Sequence, residues 1–156
     1  MSKRGANQVS VVYGAKIEKN QEGRFEVSFR DVAGALSYGE TFEEAVFNAS
    51  EALDGVLAVA LETGTEIPAP TPVKVGEVAI PVGLSVAAPV MLYLTRQSAG
   101  MTMAQVARAM EVSYQRYQQL EQPGGNLTMK TLQAAASAMG AMVELRVTPI
   151  NRLKTI

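Results

Sequence analysis

The sequence predicts an α+β chain: a small strand-rich unit with one long helix, followed by a unit of short helices that ends in a strand. Phe25, Val27 and Phe29 alternate with Arg24, Glu26, Ser28 and Arg30, the period of two expected of a half-buried strand. After Thr41, residues Phe42, Ala45, Val46, Ala49, Leu53, Val56, Leu57 and Ala60 recur at three- and four-residue intervals and trace one stripe of an amphipathic helix. Further on, Thr102, Ser113 and Thr128 each stand just before a short apolar-periodic run, as N-caps do.

Composition bounds the chemistry. The 156 residues, 47% of them hydrophobic, suffice for one ordinary domain or two small ones. The chain has neither Cys nor His, which excludes disulfides, thiolate nucleophiles and Cys-based zinc sites and removes the commonest general base. No cofactor and no metal site is expected. No stretch approaches eighteen uninterrupted apolar residues, and the first eight are basic and polar with no apolar run behind them, so the expectation is a soluble, cytoplasmic protein with no membrane segment. Charge is sorted along the chain: residues 1–85 hold seven Lys/Arg against twelve Asp/Glu, and residues 86–156 hold seven against three. A basic half suits phosphate and an acidic half suits a basic partner.

The elements follow in order. Residues 9–31 read as a hairpin, with Asn20, Gln21, Glu22 and Gly23 at its turn. Ala35, Leu36, Ser37 and Tyr38 form a short third strand before Gly39. Thr41 and Glu44 have the spacing of a capping box, in which the Thr41 hydroxyl accepts from the Glu44 amide and the carboxylate reaches back to the Thr41 amide. Gly64 stops the helix. Pro68, Pro70 and Pro72 stiffen a connector over residues 65–76, and Glu77 to Val82 supply a fourth strand, with Pro81 suited to an edge. The first unit is therefore ββ(β)αβ over residues 1–84. Asp31, Glu40, Glu43 and Glu44 raise the possibility of a metal-dependent nuclease. Glu44 already has a capping role, Glu43 suits the helix dipole, and no spacing converges the carboxylates on one site, so no catalytic residue is assigned.

The second unit, residues 85–156, opens with a helix from Ser85 to Ala99 that Gly100 closes. Pro89 argues for a start nearer Ala88. Two short helices follow over 103–110 and 114–121, with Val106, Ala107 and Met110 of the first and Tyr117 and Leu120 of the second turned inward. This leaves Tyr114, Gln115, Arg116, Gln118 and Gln119 outward, with no acid before Glu121. Gln pairs bidentately with adenine and Arg with guanine in the major groove, so the pair reads as a helix-turn-helix rather than a merely solvated face. Thr102 and Gln105 at the first helix, and Lys130 at the start of a helix over 129–139, complete the expected DNA contacts. Residues 142–147 alternate as a strand that needs a partner, from the first unit or from a second copy.

Three stretches carry a resemblance. Gly23 to Ala35 contains Gly-Arg-Phe-Glu-Val-Ser-Phe-Arg-Asp, Tyr38 to Ala45 contains Gly-Glu-Thr-Phe-Glu-Glu-Ala, and Ile67-Pro68-Ala69-Pro70 follows. In order and spacing they resemble the HicB-like antitoxin family, and residues 101–145 are similar to the phage-repressor-like helix-turn-helix often appended to it. The resemblance implies a degenerate RNase H-like fold without its catalytic carboxylates. It also implies an antitoxin that neutralises a small basic HicA-like ribonuclease toxin, binds operator DNA as a dimer or tetramer and represses its own operon. Asp31, Tyr38, Glu40 and Glu43 are the residues expected to meet the toxin. Arg30 and Ala33 stand where the family has proline, which is expected to loosen the loop around Asp31. The alternatives are a stand-alone repressor with a ligand-sensing or dimerising first unit, and the nuclease considered above.

Overall fold

The computed structural model describes residues 8–150. β1 (Val12–Lys19), β2 (Phe25–Phe29) and β3 (Leu36–Gly39) form an antiparallel meander, and β4 (Val78–Pro81) joins the free side of β1, giving the order β3-β2-β1-β4. Register decides which residues share a face: Tyr13 lies opposite Ile80, Ala15 opposite Phe29 and Ile17 opposite Val27. All six are apolar, and α1 (Phe42–Thr63) covers them with Ala45, Val46, Ala49, Leu53, Leu57 and Leu61. Phe42 meets Phe25 edge-on, with ring centroids 6.4 Å apart. The helix and the sheet edge touch at Gly39, where an added Cβ would lie 2.3 Å from the Ala45 backbone nitrogen.

The capping box forms in altered shape. Thr41 Oγ1 accepts from the Glu44 amide at 3.1 Å, but the Glu44 carboxylate accepts from the amide of Glu40, one residue earlier than expected. Gly64 ends α1 in the left-handed region at φ 69°.

The connector after α1 is strapped down at four points. Ile67 is buried in the core, and the Tyr13 hydroxyl donates to the Pro68 carbonyl at 2.8 Å. The Asp31 carboxylate accepts from the Thr71 amide at 2.8 Å, and Arg30 donates to the Pro72 carbonyl. Arg30 also makes a bidentate pair with Glu77, at 2.8 and 2.9 Å, and reaches Thr71 and Asp31. The expected loosening of the Asp31 loop is therefore corrected: the arginine in the proline's place ties β2 to the connector. Gly14 lies beneath this pair, and a Cβ there would fall 2.3 Å from Glu77 Oε2.

The helical unit consists of α2 (Leu84–Ala99), α3 (Met103–Ala109), α4 (Tyr114–Leu120) and α5 (Met129–Ala138). α2 starts at Leu84, not near Ala88, so Pro89 lies inside the helix and is buried. The start is held from outside: the Asp54 side chain in α1 accepts from the Gly83 amide at 2.7 Å, and the Ser50 hydroxyl donates to the Pro81 carbonyl. Burial raises the Asp54 pKa, while the Gly83 amide opposes that shift. One side of α2, with Val86, Ala87, Val90 and Leu94, packs into the sheet–helix core. The other, with Leu92 fully covered and Ala88 and Met91 partly so, packs against α3–α5.

The strand expected over residues 142–147 is a further correction. In the single chain this segment is in neither helix nor strand, and Met142, Leu145 and Val147 are exposed, because no β-ladder edge lies alongside to take its backbone bonds.

The Arg30–Glu77 pair has a pH signature. Chiefly the hydrogen bond from Arg30, helped by the Lys74 amide, holds Glu77 at about 2 against an ordinary 4.5. A depressed folded-state pKa contributes stability that is present above the ordinary value and lost as pH falls through the folded one. We expect the urea midpoint to drop between about pH 4.5 and 2 and Glu77→Gln to flatten that part of the profile. An unchanged profile in Glu77→Gln would show that the pair does not anchor the connector.

Candidate nucleic-acid interface

Sequence and capping build the α3–α4 pair. The Thr102 hydroxyl accepts from the Gln105 amide at 3.1 Å, and the Gln105 side chain accepts from the Thr102 amide at 2.8 Å, a complete capping box. α3 ends in a Schellman arrangement, with the Val112 amide donating to the Ala107 carbonyl at 3.0 Å and the Glu111 amide to the Arg108 carbonyl at 3.1 Å. This forces Glu111 into the left-handed region at φ 58°, a conformation that an L side chain adopts at a cost. Ser113 follows at once as the cap of α4, its hydroxyl accepting from the Arg116 amide. A left-handed residue followed by a new cap turns the chain sharply between the helices.

The pair is held from inside. Val106, Ala107, Tyr117 and Leu120 are buried together with Leu92 of α2 and Leu132 and Ala135 of α5. The small Ala107 side chain lets α4 approach. A buried ion pair, not anticipated from the sequence, fixes the far end of α4. Arg96 on α2 grips Glu121, the C-cap of α4, through Nε at 2.9 Å and Nη2 at 3.0 Å, and both residues are under a tenth exposed. Arg96 also donates to the Met101 carbonyl and lies over the Tyr93 ring. Burial lowers the Arg96 pKa, but Glu121's hydrogen bonds and charge more than restore it. The Tyr117 hydroxyl, buried beside this pair with no hydrogen bond of good geometry, is raised by burial and by the Glu121 charge.

On the outside, Tyr114, Gln115, Arg116, Gln118 and Gln119 are all exposed, as expected for one face of α4. Thr102 and Gln105 stand at the start of α3 and are exposed, although Gln105 already spends its side-chain oxygen on the cap. Lys130 is exposed in the first turn of α5, next to the Thr128 cap. None of α3, α4 and α5 has an acidic residue in its first turn, whereas α1 has two. Their positive ends therefore face solvent uncompensated. Apart from the buried Arg96–Glu121 pair and the exposed Arg146–Glu144 pair, the exposed charges of the helical unit's described residues are the cations Arg108, Arg116 and Lys130 and the acid Glu111.

The residues expected to meet a partner do not form one cluster. Tyr38, Glu40 and Glu43 lie together where β3 passes into α1; Tyr38 is 61% exposed, and Glu40 pairs with Arg24 at 2.9 Å. Asp31 sits beyond the other end of β3, mostly covered and occupied with Thr71 and Arg30. Leu36, 68% exposed, shares the outer face of the sheet with Tyr38, above a shallow concavity that Glu18, Arg24 and Glu26 also line. Sequence reasoning placed Leu36 on the strand but not on this face. No group of three or more acidic side chains is placed to hold a metal ion among the described residues, and no described helix is long and apolar enough to cross a membrane.

Comparison with known proteins agrees with this two-part architecture. A family model described as a HicB-like antitoxin of bacterial toxin–antitoxin systems matches residues 12–91, and a helix-turn-helix model matches residues 92–142. The chain is 31% identical over 135 residues to Antitoxin HicB 1 of Photorhabdus laumondii subsp. laumondii, covering 86% of each chain. It is likewise 31% identical over 133 residues to Antitoxin HicB of Escherichia coli strain K12, covering 85% of this chain and 96% of the other.

The ion pair yields a stability test. Glu121→Ala strands a buried guanidinium and should cost about 3 kcal/mol in urea denaturation followed by circular dichroism. The double change Arg96→Met with Glu121→Leu removes both charges and should recover most of that loss. A cost below about 1 kcal/mol for Glu121→Ala would mean that the pair does not hold α4.

Proposed function

The chain belongs to the HicB-like family of antitoxins, and from that premise we propose that it neutralises a small basic HicA-like ribonuclease toxin and represses its own operon through its helix-turn-helix. The observation that carries this reading is the sorting of charge: cations and uncompensated helix starts around α4, and a net charge of −5 on residues 1–85. We assign toxin binding to residues 1–84, through Tyr38, Glu40, Glu43 and the loop that Asp31 anchors, and DNA binding to residues 85–156. The division is one of chemistry rather than of packing, since α2 lies in both cores.

Non-enzymatic action is favoured because the carboxylates that a nuclease would need have other bonds: Asp31 to Thr71, Glu40 to Arg24 and Glu44 to the Glu40 amide. The finer description of the first unit as a degenerate RNase H-like domain rests on the family resemblance and on a meander with one helix across it. Cytoplasmic location follows from operator binding. A dimer or tetramer follows from the need to read two half-sites about 34–36 Å apart, with residues 142–147 becoming a strand on assembly.

On DNA, Gln115 and Gln119 lie four apart on the exposed side of α4 and read base edges. Tyr114, Arg116 and Gln118 flank them, and Thr102, Gln105 and Lys130 meet phosphates.

Two experiments test the reading. Co-expression with the product of a short basic reading frame beside the gene should restore growth that the product alone arrests; arrest undiminished by soluble antitoxin would overturn neutralisation. In operator titrations, Gln115→Ala or Gln119→Ala should cost on the order of 1 to 3 kcal/mol and relax base preference, while Lys130→Ala weakens all DNA similarly and lowers the salt slope by about one. The reversed pattern would place the wrong face of α4 in the groove.

A further inference from the structure

Among the described residues other than glycine, Glu111 alone has a positive φ, at 58°. Left-handed backbone suits glycine, and asparagine or aspartate to a lesser degree, so a glutamate held there costs the fold stability. The side chain does not repay that cost inside the molecule: it is exposed, and its carboxylate has no hydrogen bond or ion pair with another described residue. A strained residue whose side chain the fold does not use points to a contact outside the fold. Charge shows which kind. The surface formed by α3, the turn and α4 has two exposed cations, Arg108 and Arg116, and Glu111 stands between them as its one exposed acid. The other acid of this stretch, Glu121, is buried against Arg96.

The groove sets the distance. A helix about 10–12 Å across fills a major groove about 12 Å wide, so a chain entering it passes between two rows of phosphates. Glu111 precedes the Ser113 cap of α4 by two residues, at most about 8 Å along the backbone. With α4 in the groove, its carboxylate lies within about 10 Å of a phosphate, one screening length at 0.1 M salt. We propose that Glu111 is an electrostatic brake on DNA binding. Its charge offsets one of the two cations beside it and weakens the hold on DNA of every sequence alike. Binding to non-operator DNA is almost wholly attraction to phosphate, so the brake keeps that binding weak and leaves recognition to the base contacts of Gln115 and Gln119. The proposal rests on the placement of α4 in the groove and adds the residue that sets the strength of binding.

Full-length variants separate charge from strain. Glu111→Gln removes the charge and keeps a left-handed side chain, Glu111→Gly removes both, and Glu111→Asp keeps the charge. Fluorescence anisotropy measures each on two duplexes, a fragment from upstream of the chain's own gene and a scrambled sequence of equal length. Glu111→Gln should bind both about threefold to fivefold more tightly at 0.1 M salt, with a gain that shrinks as salt rises. Glu111→Gly should show the same gain together with a higher melting temperature, and Glu111→Asp should bind as the parent does. Equal affinities for Glu111→Gln and the parent would put the carboxylate outside the phosphate field. A loss confined to the upstream fragment would make Glu111 a base reader that accepts from a cytosine amino group. A gain in Glu111→Gly that is missing in Glu111→Gln would assign the effect to the backbone. Each of these overturns the brake while leaving α4 in the groove; a parent chain that binds neither duplex would overturn that placement itself.

Discussion

α2 holds this structure together, because among the described helices it is the one that two hydrophobic cores share. Val86, Ala87, Val90 and Leu94 complete the core under the sheet, and Leu92 completes the core of the helix-turn-helix. Each end of α2 is fixed by a polar contact from another element: Asp54 of α1 at its start and Glu121 of α4 on Arg96 near its end. A second tie runs directly from the Gln122 side chain to the Leu61 carbonyl of α1. α4 is therefore tied to the core under the sheet through α2 and through the Gln122–Leu61 bond.

The Arg96–Glu121 pair is better understood as a positioning device than as a source of net stability. Two charges taken out of water recover their desolvation only with good geometry, and well-packed apolar residues of similar size serve stability as well. What the ion pair adds is direction. A bidentate guanidinium–carboxylate contact accepts few arrangements, and this one sits at the C-terminal end of a seven-residue helix, where it adds direction to the packing of Tyr117 and Leu120. The Schellman turn at Glu111 and the Ser113 cap fix the other end. Connector and sheet are joined in the same manner, with Arg30, Asp31, Thr71 and Glu77 holding a proline-rich stretch that has few backbone bonds of its own.

Local signals were legible in the sequence. The period-two run of β2, the stripe of α1, the caps at Thr102, Ser113 and Thr128 and the inward pair Tyr117 and Leu120 each depend on neighbours a few residues away. What escaped depends on residues distant in sequence. Pro89 suggested a late start for α2, but a capping carboxylate from α1 makes the earlier start tenable. Arg30 looked like a lost proline, because its partner Glu77 lies 47 residues away. The Arg96–Glu121 pair left a trace: Arg96 is the sole charge in α2, and Glu121 is the sole acid between Val112 and Val143. The alternation after α5 reads as a strand in the sequence, but in the single chain residues 142–147 form none, since nothing lies alongside to pair with them. Asp31 and Glu40 were picked out by their place in the family's pattern, which does not reveal that both carry structural bonds.

If α2 joins the two cores, the chain opens as one cooperative unit, and native-state amide hydrogen exchange on the full chain measures that directly. The slowest amides of α1, of α2 and of α4 should then exchange through a single global opening, with the same free energy and the same denaturant dependence. Slow amides in α1 that stay protected while those of α4 and the Leu92 side of α2 exchange at a much lower free energy would contradict the account, and would make the two halves independent domains on a passive link.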